Sequence, residues 1–222
     1  MGIHLHPTAA LAERVLLPGD PGRALLLTQE LLAEPKMFNH NRGLWGYTGV
    51  AADGEPLTIQ STGMGGPSAA IVVEELCDMG ARRLVRVGTC GALDPSLGLG
   101  DLVVATSALC ADGTSRALSD SSSVVGSSSI SVREGVRGVV VSSDLFYDPD
   151  PSRPSSWAAS GAVVVDMETA TVFAVAARRG ISAASVLAVS DVVGPPRVRI
   201  DDEGLVQASK RVGRAGAEAL LG

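Results

Sequence analysis

Residues 57–93 read LTIQSTGMGGPSAAIVVEELCDMGARRLVRVGTCGAL, and the architecture can be inferred outward from this stretch. An apolar run at 57–62 predicts a strand that ends at a glycine-rich turn. Residues 68–79 then carry Ala, Val and Leu along one helical face, after Pro67, a residue type that helices favour at their first position. A second apolar run, 84–87, predicts the next strand. Strand, glycine turn and helix in succession are typical of an α/β protein whose sheet is covered by helices on both faces.

The same alternation continues on both sides of this stretch. It predicts strands at 14–17, 102–105, 139–142 and 184–190, and helices at 23–32, 167–179 and 203–221. Since neither an internal repeat nor a second domain boundary is visible, we expect one domain over residues 1–222. Residues 119–131 (SDSSSVVGSSSIS) depart from the pattern, and their Ser-rich, aperiodic composition predicts a flexible surface loop.

Composition excludes several classes of protein. Hydrophobic residues make up 45% of the 222 residues and aromatic residues only 3%, so we expect a core of Val, Leu, Ala and Ile. No apolar run approaches the roughly 20 residues of a membrane span, and the first residues lack the features of a secretion signal. A net charge of −6 disfavours a nucleic-acid or anionic-membrane partner. Three cysteines without a CxxC pair indicate a reduced, cytoplasmic protein and not a disulfide or zinc scaffold.

Three glycine-rich turns follow predicted strands, at 18–23 (PGDPGR), 61–68 (STGMGGPS) and 86–93 (RVGTCGAL). Glycine lets backbone N–H groups approach an anion closely, although tight strand–helix connections also use glycine for steric reasons alone. The Walker and GxGxxG patterns do not fit these turns, so a nucleotide P-loop is unsupported. Arg23 and Arg86, beside two of the turns, favour an anion because a planar guanidinium matches phosphate oxygens.

A phosphate site can therefore be assembled near these turns. Its candidate ligands are the Gly19 N–H, the Arg23 and Arg86 guanidinium groups and the Thr89 hydroxyl. A third arginine, Arg42, lies in a separate polar segment.

Four further residues have two interpretations each. Glu168, at a strand-to-helix junction, either favours the helix N-terminus or binds a sugar diol through two hydroxyl hydrogen bonds. Asp191 ends an apolar strand, where it either caps a turn or reaches the ligand crevice as a general acid. Phe146 either packs in the core or stacks on a flat base. Cys90 is more typical of a small packed residue than of a nucleophile, because no histidine neighbours it in sequence.

Several ordered motifs together resemble one family, and the resemblance covers residues 3–118 and 138–193. The matching segments are HLHP at 4–7, AERVLLPGDPGR at 12–23, NRG at 41–43, STGMGGPS at 61–68, RVGTCGAL at 86–93, SSDLFY at 142–147, DMETA at 166–170 and SD at 190–191. They are similar to the nucleoside phosphorylase-I family, above all its hexameric purine nucleoside phosphorylases and 5′-methylthioadenosine phosphorylases. The resemblance implies a three-layer α/β/α sandwich around a mixed, partly barrel-like sheet, in a homo-oligomer of dimers arranged as a hexamer.

The resemblance also assigns a role to each matching residue. It implies a phosphate site made of Gly19, Arg23, Arg86, Thr89 and, from a neighbouring subunit, Arg42. It implies a ribose site made of Met64, Met167, Glu168 and, from that same neighbour, His4. It implies a base site made of Cys90, Gly91, Phe146, Ser190 and Asp191. The implied activity is phosphorolysis of purine nucleosides, with Asp191, Arg23 and Arg86 as catalytic residues, phosphate as co-substrate, and no metal or organic cofactor.

Some features depart from the family pattern and leave alternatives open. The segment between residues 118 and 139 is shorter than usual, which suggests a nucleoside-binding homologue without turnover as one alternative. His6 is a possible substitute for His4, and either Arg197 or Arg199 could assist Asp191. Uridine phosphorylase and 5′-methylthioadenosine phosphorylase are alternative activities. A uridine enzyme is less favoured, because residues 148–153 (DPDPSR) lack its Gln-x-Arg segment. A nucleosidase is less favoured still, since it would not need three arginines around an anion.

Overall fold

The computed structural model describes residues 2–126, 129–194 and 196–221. Its strands are β1 Arg14–Leu17, β2 Ala33–Asn39, β3 Gly46–Val50, β4 Pro56–Gln60, β5 Arg83–Ala92, β6 Leu102–Ala111, β7 Ser123–Val125, β8 Val136–Ser143, β9 Ala162–Asp166, β10 Ser182–Val192 and β11 Val198–Arg199. Its α-helices are α1 Pro21–Leu31, α2 Gly66–Asp78, α3 Gly113–Leu118, α4 Arg153–Ala159, α5 Thr169–Arg179 and α6 Asp202–Leu220. Among these residues, no helix is both long enough and apolar enough to cross a membrane.

Five of the strands close into a ring. The strand order is β11-β10-β6-β8-β9-β5-β1-β4-β3-β2, and β10 also pairs with β5, which closes β10, β6, β8, β9 and β5 upon themselves. Pairing within the ring is mixed, because β10–β5, β6–β8 and β8–β9 are parallel whereas β10–β6 and β5–β9 are antiparallel. The predicted mixed, partly barrel-like sheet is therefore confirmed.

Helices cover the sheet on two sides, each over its own apolar core. One core joins α2 and α5 to the sheet and contains Phe38, Val72 and Phe173. The other joins α1 and α6 to the opposite side and contains Leu27 and Val212. Small residues allow close packing, since a Cβ added at Gly216 of α6 would lie 2.4 Å from Val87 Cγ1. This arrangement is the predicted three-layer α/β/α sandwich.

Strand β5 corrects one sequence expectation. The segment 86–93, predicted as a glycine-rich turn after a short strand, continues the strand to Ala92. Its glycines meet a steric need within the sheet, because a Cβ at Gly88 would lie 2.8 Å from Arg86 Nη2 and one at Gly91 would lie 2.7 Å from Val193 Cγ2. Because Gly88 and Gly91 have no side chains, the Arg86 and Val193 side chains can lie close against β5. The other two glycine-rich segments lead into α1 and α2, as predicted.

The Ser-rich stretch is not entirely loop. Ser123–Val125 forms β7, which pairs antiparallel with β6 in the register Ala108↔Val124. Val124 and Ile130 are buried, and their apolar side chains pack into the cores on the two sides of the sheet. Part of the segment 119–131, for which we predicted a flexible loop, is therefore sheet. Residues 127 and 128 lie outside the described part of the chain.

Candidate active site

A cleft of about 690 Å³ opens where several strands end. It brings together twelve of the fourteen residues proposed from the sequence: Gly19, Arg23, Met64, Arg86, Thr89, Cys90, Gly91, Phe146, Met167, Glu168, Ser190 and Asp191. These residues come from segments up to 172 positions apart in the chain, and the closed ring of strands is what brings them together. His4 and Arg42 do not line this cleft.

Arg86 is the central cation of the cleft and is only 3% exposed. Its Nε donates to Asp166 Oδ2 at 2.9 Å, and its Nη2 donates to Glu168 Oε2 at 2.5 Å. Burial by itself lowers the pKa of Arg86, but the neighbouring Glu168 and Asp166 carboxylates outweigh burial and raise that pKa. Its buried Nη1 has no hydrogen-bond partner within the described residues. A buried guanidinium donor without a partner is costly, so the site is suited to an acceptor from a ligand.

Asp166 holds Arg86 in place and was not assigned a role from the sequence. At the end of β9, its Oδ1 accepts a 2.6 Å hydrogen bond from Ser142 Oγ, and its Oδ2 accepts one of 2.6 Å from Thr169 Oγ1. The sequence signal was present in the motif DMETA, in which two carboxylates flank Met167, but only Glu168 was interpreted as a ligand. Asp166 is therefore a positioning residue, because its carboxylate fixes the Arg86 guanidinium.

Glu168 connects the cleft to the glycine-rich segment before α2. Its Oε1 accepts a 2.7 Å hydrogen bond from the Gly65 N–H, while Oε2 faces Arg86. Gly65 has φ = 84° and Gly63 has φ = 72°, a backbone region that favours glycine. Burial raises the pKa of the Glu168 carboxyl. Two of the roughly four acceptor sites of a carboxylate are used in this way, so hydroxyl groups of a ligand can occupy the others.

Arg23 lies in the first turn of α1, where Asp20 caps the helix. The Asp20 Oδ1 accepts a 2.6 Å hydrogen bond from the Arg23 N–H, as expected of an N-cap carboxylate. The Arg23 side chain turns towards α6, with Nε donating to Ser209 Oγ at 3.2 Å. Burial lowers the pKa of the Arg23 guanidinium. Arg86 lies close enough to lower the pKa of Arg23 further, so the two cationic side chains are neighbours in the lining of the cleft.

Asp191 lies on β10, where a bulge at Ser190 shifts the register. Val189 pairs with Cys90 whereas Asp191 pairs with Gly91, so Ser190 is the extra residue. Such a bulge re-aims the following side chain, here into the cleft. The Asp191 carboxylate accepts hydrogen bonds from Ser190 Oγ at 3.0 Å and from Arg197 Nε at 2.5 Å.

Arg197 contacts both Asp191 and Phe146. Its guanidinium carbon lies 4.4 Å from the centre of the Phe146 ring, within the range of a cation–π contact. Of the two arginines proposed to assist Asp191, Arg197 is the one whose side chain contacts the carboxylate. Arg199 instead pairs with Asp191 through the backbone, in the antiparallel β10–β11 register.

The sulfur of Cys90 is poorly suited to nucleophilic chemistry. Cys90 is 3% exposed, and burial raises the pKa of its thiol well above the usual range. Its carbonyl oxygen accepts a 3.3 Å hydrogen bond from Ser190 Oγ, which ties β5 to the bulge of β10. These contacts agree with its interpretation as a packed residue that forms a wall of the site.

His4 and Arg42 lie on a surface outside the cleft. The His4 Nδ1 is 2.7 Å from Glu75 Oε1 of α2, and Asn41 Nδ2 donates to the His4 carbonyl at 2.9 Å. Arg42, next to Asn41, is exposed and has φ = 58°, which is unusual for a residue with a side chain. Because Asn41 links them, both residues proposed to reach a neighbouring subunit belong to one surface. His6 donates its N–H to Asn39 Oδ1 at 2.9 Å.

A metal site does not emerge from the geometry. Within residues 2–126, 129–194 and 196–221, no group of three or more His, Cys, Asp or Glu side chains is arranged to hold a metal ion.

Comparisons with known proteins agree on one family. Residues 13–221 match the model of the phosphorylase superfamily. A protein from Caldanaerobacter subterraneus named purine nucleoside phosphorylase DeoD-type is 36% identical over 205 residues, covering 86% of this chain and 88% of its own length. A protein of the same name from Geobacillus kaustophilus is 37% identical, with 86% of each chain covered. A solved structure of uridine phosphorylase from Vibrio fischeri has a TM-score of 0.86 at 28% identity, covering 99% of this chain and 98% of that one.

Proposed function

Because the chain belongs to the phosphorylase superfamily, we propose that it catalyses the phosphorolysis of purine ribonucleosides and deoxyribonucleosides. The products are a free purine base and the pentose 1-phosphate. The observation that carries the proposal is the buried Nη1 of Arg86, which has no hydrogen-bond partner among the described residues. Arg86 lines a cleft that also holds Arg23 and, on another strand, Asp191. The relatives named purine nucleoside phosphorylase support a purine as the base.

The proposed phosphate site combines two guanidinium groups with the Gly19 N–H and the Thr89 hydroxyl. Phosphorolysis passes through a transition state in which the sugar resembles an oxocarbenium ion. A phosphate dianion fixed beside the anomeric carbon is both the nucleophile and the counter-charge for that ion. Arg86 suits this role because Asp166 and Glu168 already hold its guanidinium, so little reorganisation is needed when phosphate arrives.

The proposed ribose site uses Glu168 as the acceptor for sugar hydroxyl groups. Its carboxylate is oriented by Gly65 and Arg86 and retains free acceptor positions. Met64 and Met167, which line the same cleft, supply apolar contacts to the sugar. The sugar would thus be held next to the phosphate, as the attack requires.

The proposed base site places the purine against Phe146 and the Cys90–Gly91 backbone. Asp191, in its protonated form, donates to N7 and so avoids expulsion of a purine anion. Arg197 orients this carboxyl through its Nε and stabilises the carboxylate that remains after the proton has moved. The chemistry requires phosphate as a co-substrate, and we propose that it uses neither a metal nor an organic cofactor.

The proposal also includes assembly and location. We propose a homo-oligomer of dimers, arranged as a hexamer, in which Arg42 and His4 complete the phosphate and ribose sites of a neighbouring subunit. Their position on one surface, away from the cleft of their own chain, supports this arrangement. We propose a cytoplasmic location on the basis of three cysteines, all of them unpaired.

Uridine phosphorolysis is the second candidate, because a solved uridine phosphorylase is similar over almost the whole chain. The purified protein should be incubated with inosine, guanosine, adenosine, 5′-methylthioadenosine and uridine, each with and without phosphate, and the free base quantified. Phosphate-dependent release of a purine is the expected result, and the panel identifies the preferred nucleoside. Release of uracil alone would transfer the assignment to uridine, and release without phosphate would indicate a nucleosidase. No release of any base would refute the proposal.

A further inference from the structure

A second, smaller cavity adjoins the cleft. Its volume is about 220 Å³, and four residues line both spaces: Leu145, Asp148, Arg153 and Trp157. We propose that the ion pair between Arg153 and Asp148 is a partition between the two cavities, and that it determines how large a substituent the bound base can carry. This inference rests on the proposed function, since it takes a purine as the occupant of the cleft.

The partition lies at the end of the cleft where the purine base is proposed to bind. Leu145 directly precedes Phe146, the proposed stacking residue, and Asp148 follows it by two positions. The eight residues that line the second cavity include none of the proposed phosphate or ribose ligands. A substituent on the distal edge of the base would therefore meet the partition, whereas the sugar and phosphate would not.

The Arg153–Asp148 ion pair lies where the two cavities meet, and its free energy of interaction is small. Arg153 Nε lies 3.2 Å from Asp148 Oδ2, and Arg153 Nη2 lies 3.6 Å from Asp150 Oδ2. The Arg153 side chain is 45% exposed and that of Asp148 is 15% exposed. Exposed pairs of this kind contribute little free energy because water screens them. Arg153 is the first residue of α4. Among the described α-helices, α4 is the one without a buried residue, so the partition belongs to a weakly packed helix.

The second cavity favours a substituent with a polar end. Trp157 and Leu145 give the lining shared by the two spaces an apolar part, whereas Arg116 and Asp144 line the second cavity alone. The Asp144 carboxylate accepts a 2.8 Å hydrogen bond from the Gly113 N–H and retains other acceptor positions. The ligand class that fits both spaces is thus a purine with an apolar linker that ends in a hydroxyl group.

Calorimetric binding of free bases tests the partition without requiring turnover. Adenine and 6-(4-hydroxybenzylamino)purine should be titrated, in phosphate buffer, into the wild-type protein and into the variants Arg153→Ala and Asp148→Ala. Each variant should improve the affinity for the substituted purine, relative to adenine, by up to about fivefold, since the weakly held pair no longer has to be displaced. Arg211→Ala is the matched control: it breaks an exposed ion pair, with Glu134, that lines neither cavity, and the affinity ratio should stay at the wild-type value.

The outcomes separate this inference from the proposed function. An affinity ratio unchanged in both partition variants would overturn the inference, whether or not the wild-type protein releases hypoxanthine from inosine. A shifted ratio in a protein that releases no base would support the partition and refute the proposed activity. If one variant fails to fold, as judged by its thermal melt, the other decides. If no purine binds to the wild-type protein, both proposals are wrong.

Discussion

Replacing Gly88 with alanine should weaken phosphate binding while leaving the fold intact. The new Cβ would lie 2.8 Å from Arg86 Nη2, about 0.6 Å short of the 3.4 Å at which ordinary van der Waals contact begins. Asp166 and Glu168 hold the Arg86 guanidinium through hydrogen bonds of 2.9 and 2.5 Å. Relief of the clash must therefore shift the guanidinium away from its hydrogen-bonded position. Since a misplacement of about 1 Å can cost roughly 10²-fold in rate, we expect kcat/KM for phosphate to fall by about tenfold.

Gly91→Ala is the matched control on the same strand. Its Cβ would lie 2.7 Å from Val193 Cγ2 and 3.1 Å from Asp191 Oδ2, so it should perturb the base site and leave Arg86 in place. Both glycines lack a positive φ, and each substitution should therefore cost only the roughly 1–3 kcal/mol typical of an overpacked site.

The assay for this pair measures initial rates with phosphate varied at saturating nucleoside, and then with nucleoside varied at saturating phosphate. Gly88→Ala should lower kcat/KM mainly in the first series, and Gly91→Ala mainly in the second. A folded Gly88→Ala protein with wild-type kinetics in phosphate would refute the assignment of Arg86 as a phosphate ligand.

Three further perturbations test other parts of the structure. Asp191→Asn should reduce turnover of inosine by about 10²–10⁴-fold, the usual contribution of a general acid; phosphate binding measured by calorimetry should persist, and unchanged turnover would exclude that role. Arg42→Ala should be inactive but recover partial activity when mixed with Asp191→Asn protein, through hybrid sites; no recovery after verified subunit exchange would count against a shared site. Arg14 holds the pKa of Asp53 at about 2, below its ordinary value near 4, so the stability from this pair is complete above pH 4 and is lost as the pH falls towards 2. Asp53→Asn should therefore lower the melting temperature at pH 7, and the difference from wild type should disappear near pH 2.

Much of the fold could be predicted from local sequence patterns. Buried strands such as β1 produce continuous apolar runs, and their predicted and observed positions agree because both faces of the sheet are covered. Strands β2 and β3 were not predicted. Most of β2 is exposed and contains Pro35, so it carries neither the apolar run nor the periodicity of a central strand.

The site shows where sequence reasoning ends. Residues in glycine-rich or acidic motifs could be nominated because their chemistry is visible in one short segment. The role of Asp166 could not, since it depends on Arg86, 80 positions away in the sequence, being placed beside it by the β5–β9 pairing. Likewise, spacing alone leaves both Arg197 and Arg199 possible as the partner of Asp191. The fold decides between them, because Arg199 pairs with Asp191 along the backbone of β11 whereas Arg197, just before β11, reaches the carboxylate with its side chain.

The five-stranded ring bears on how the molecule fluctuates. Every strand of the ring has hydrogen-bonded neighbours on both sides, so releasing one strand disrupts two ladders together. Backbone amides of β5 and β10 should therefore exchange with solvent deuterium only through global unfolding, whereas those of the edge strand β2 and of α4 should exchange through local opening. Arg86 and Asp191 then belong to the slowest-exchanging part of the protein, whereas α4, which carries Arg153, belongs to the fastest. The cleft is thus rigid where chemistry is proposed and adaptable where the ligand's outer edge would lie.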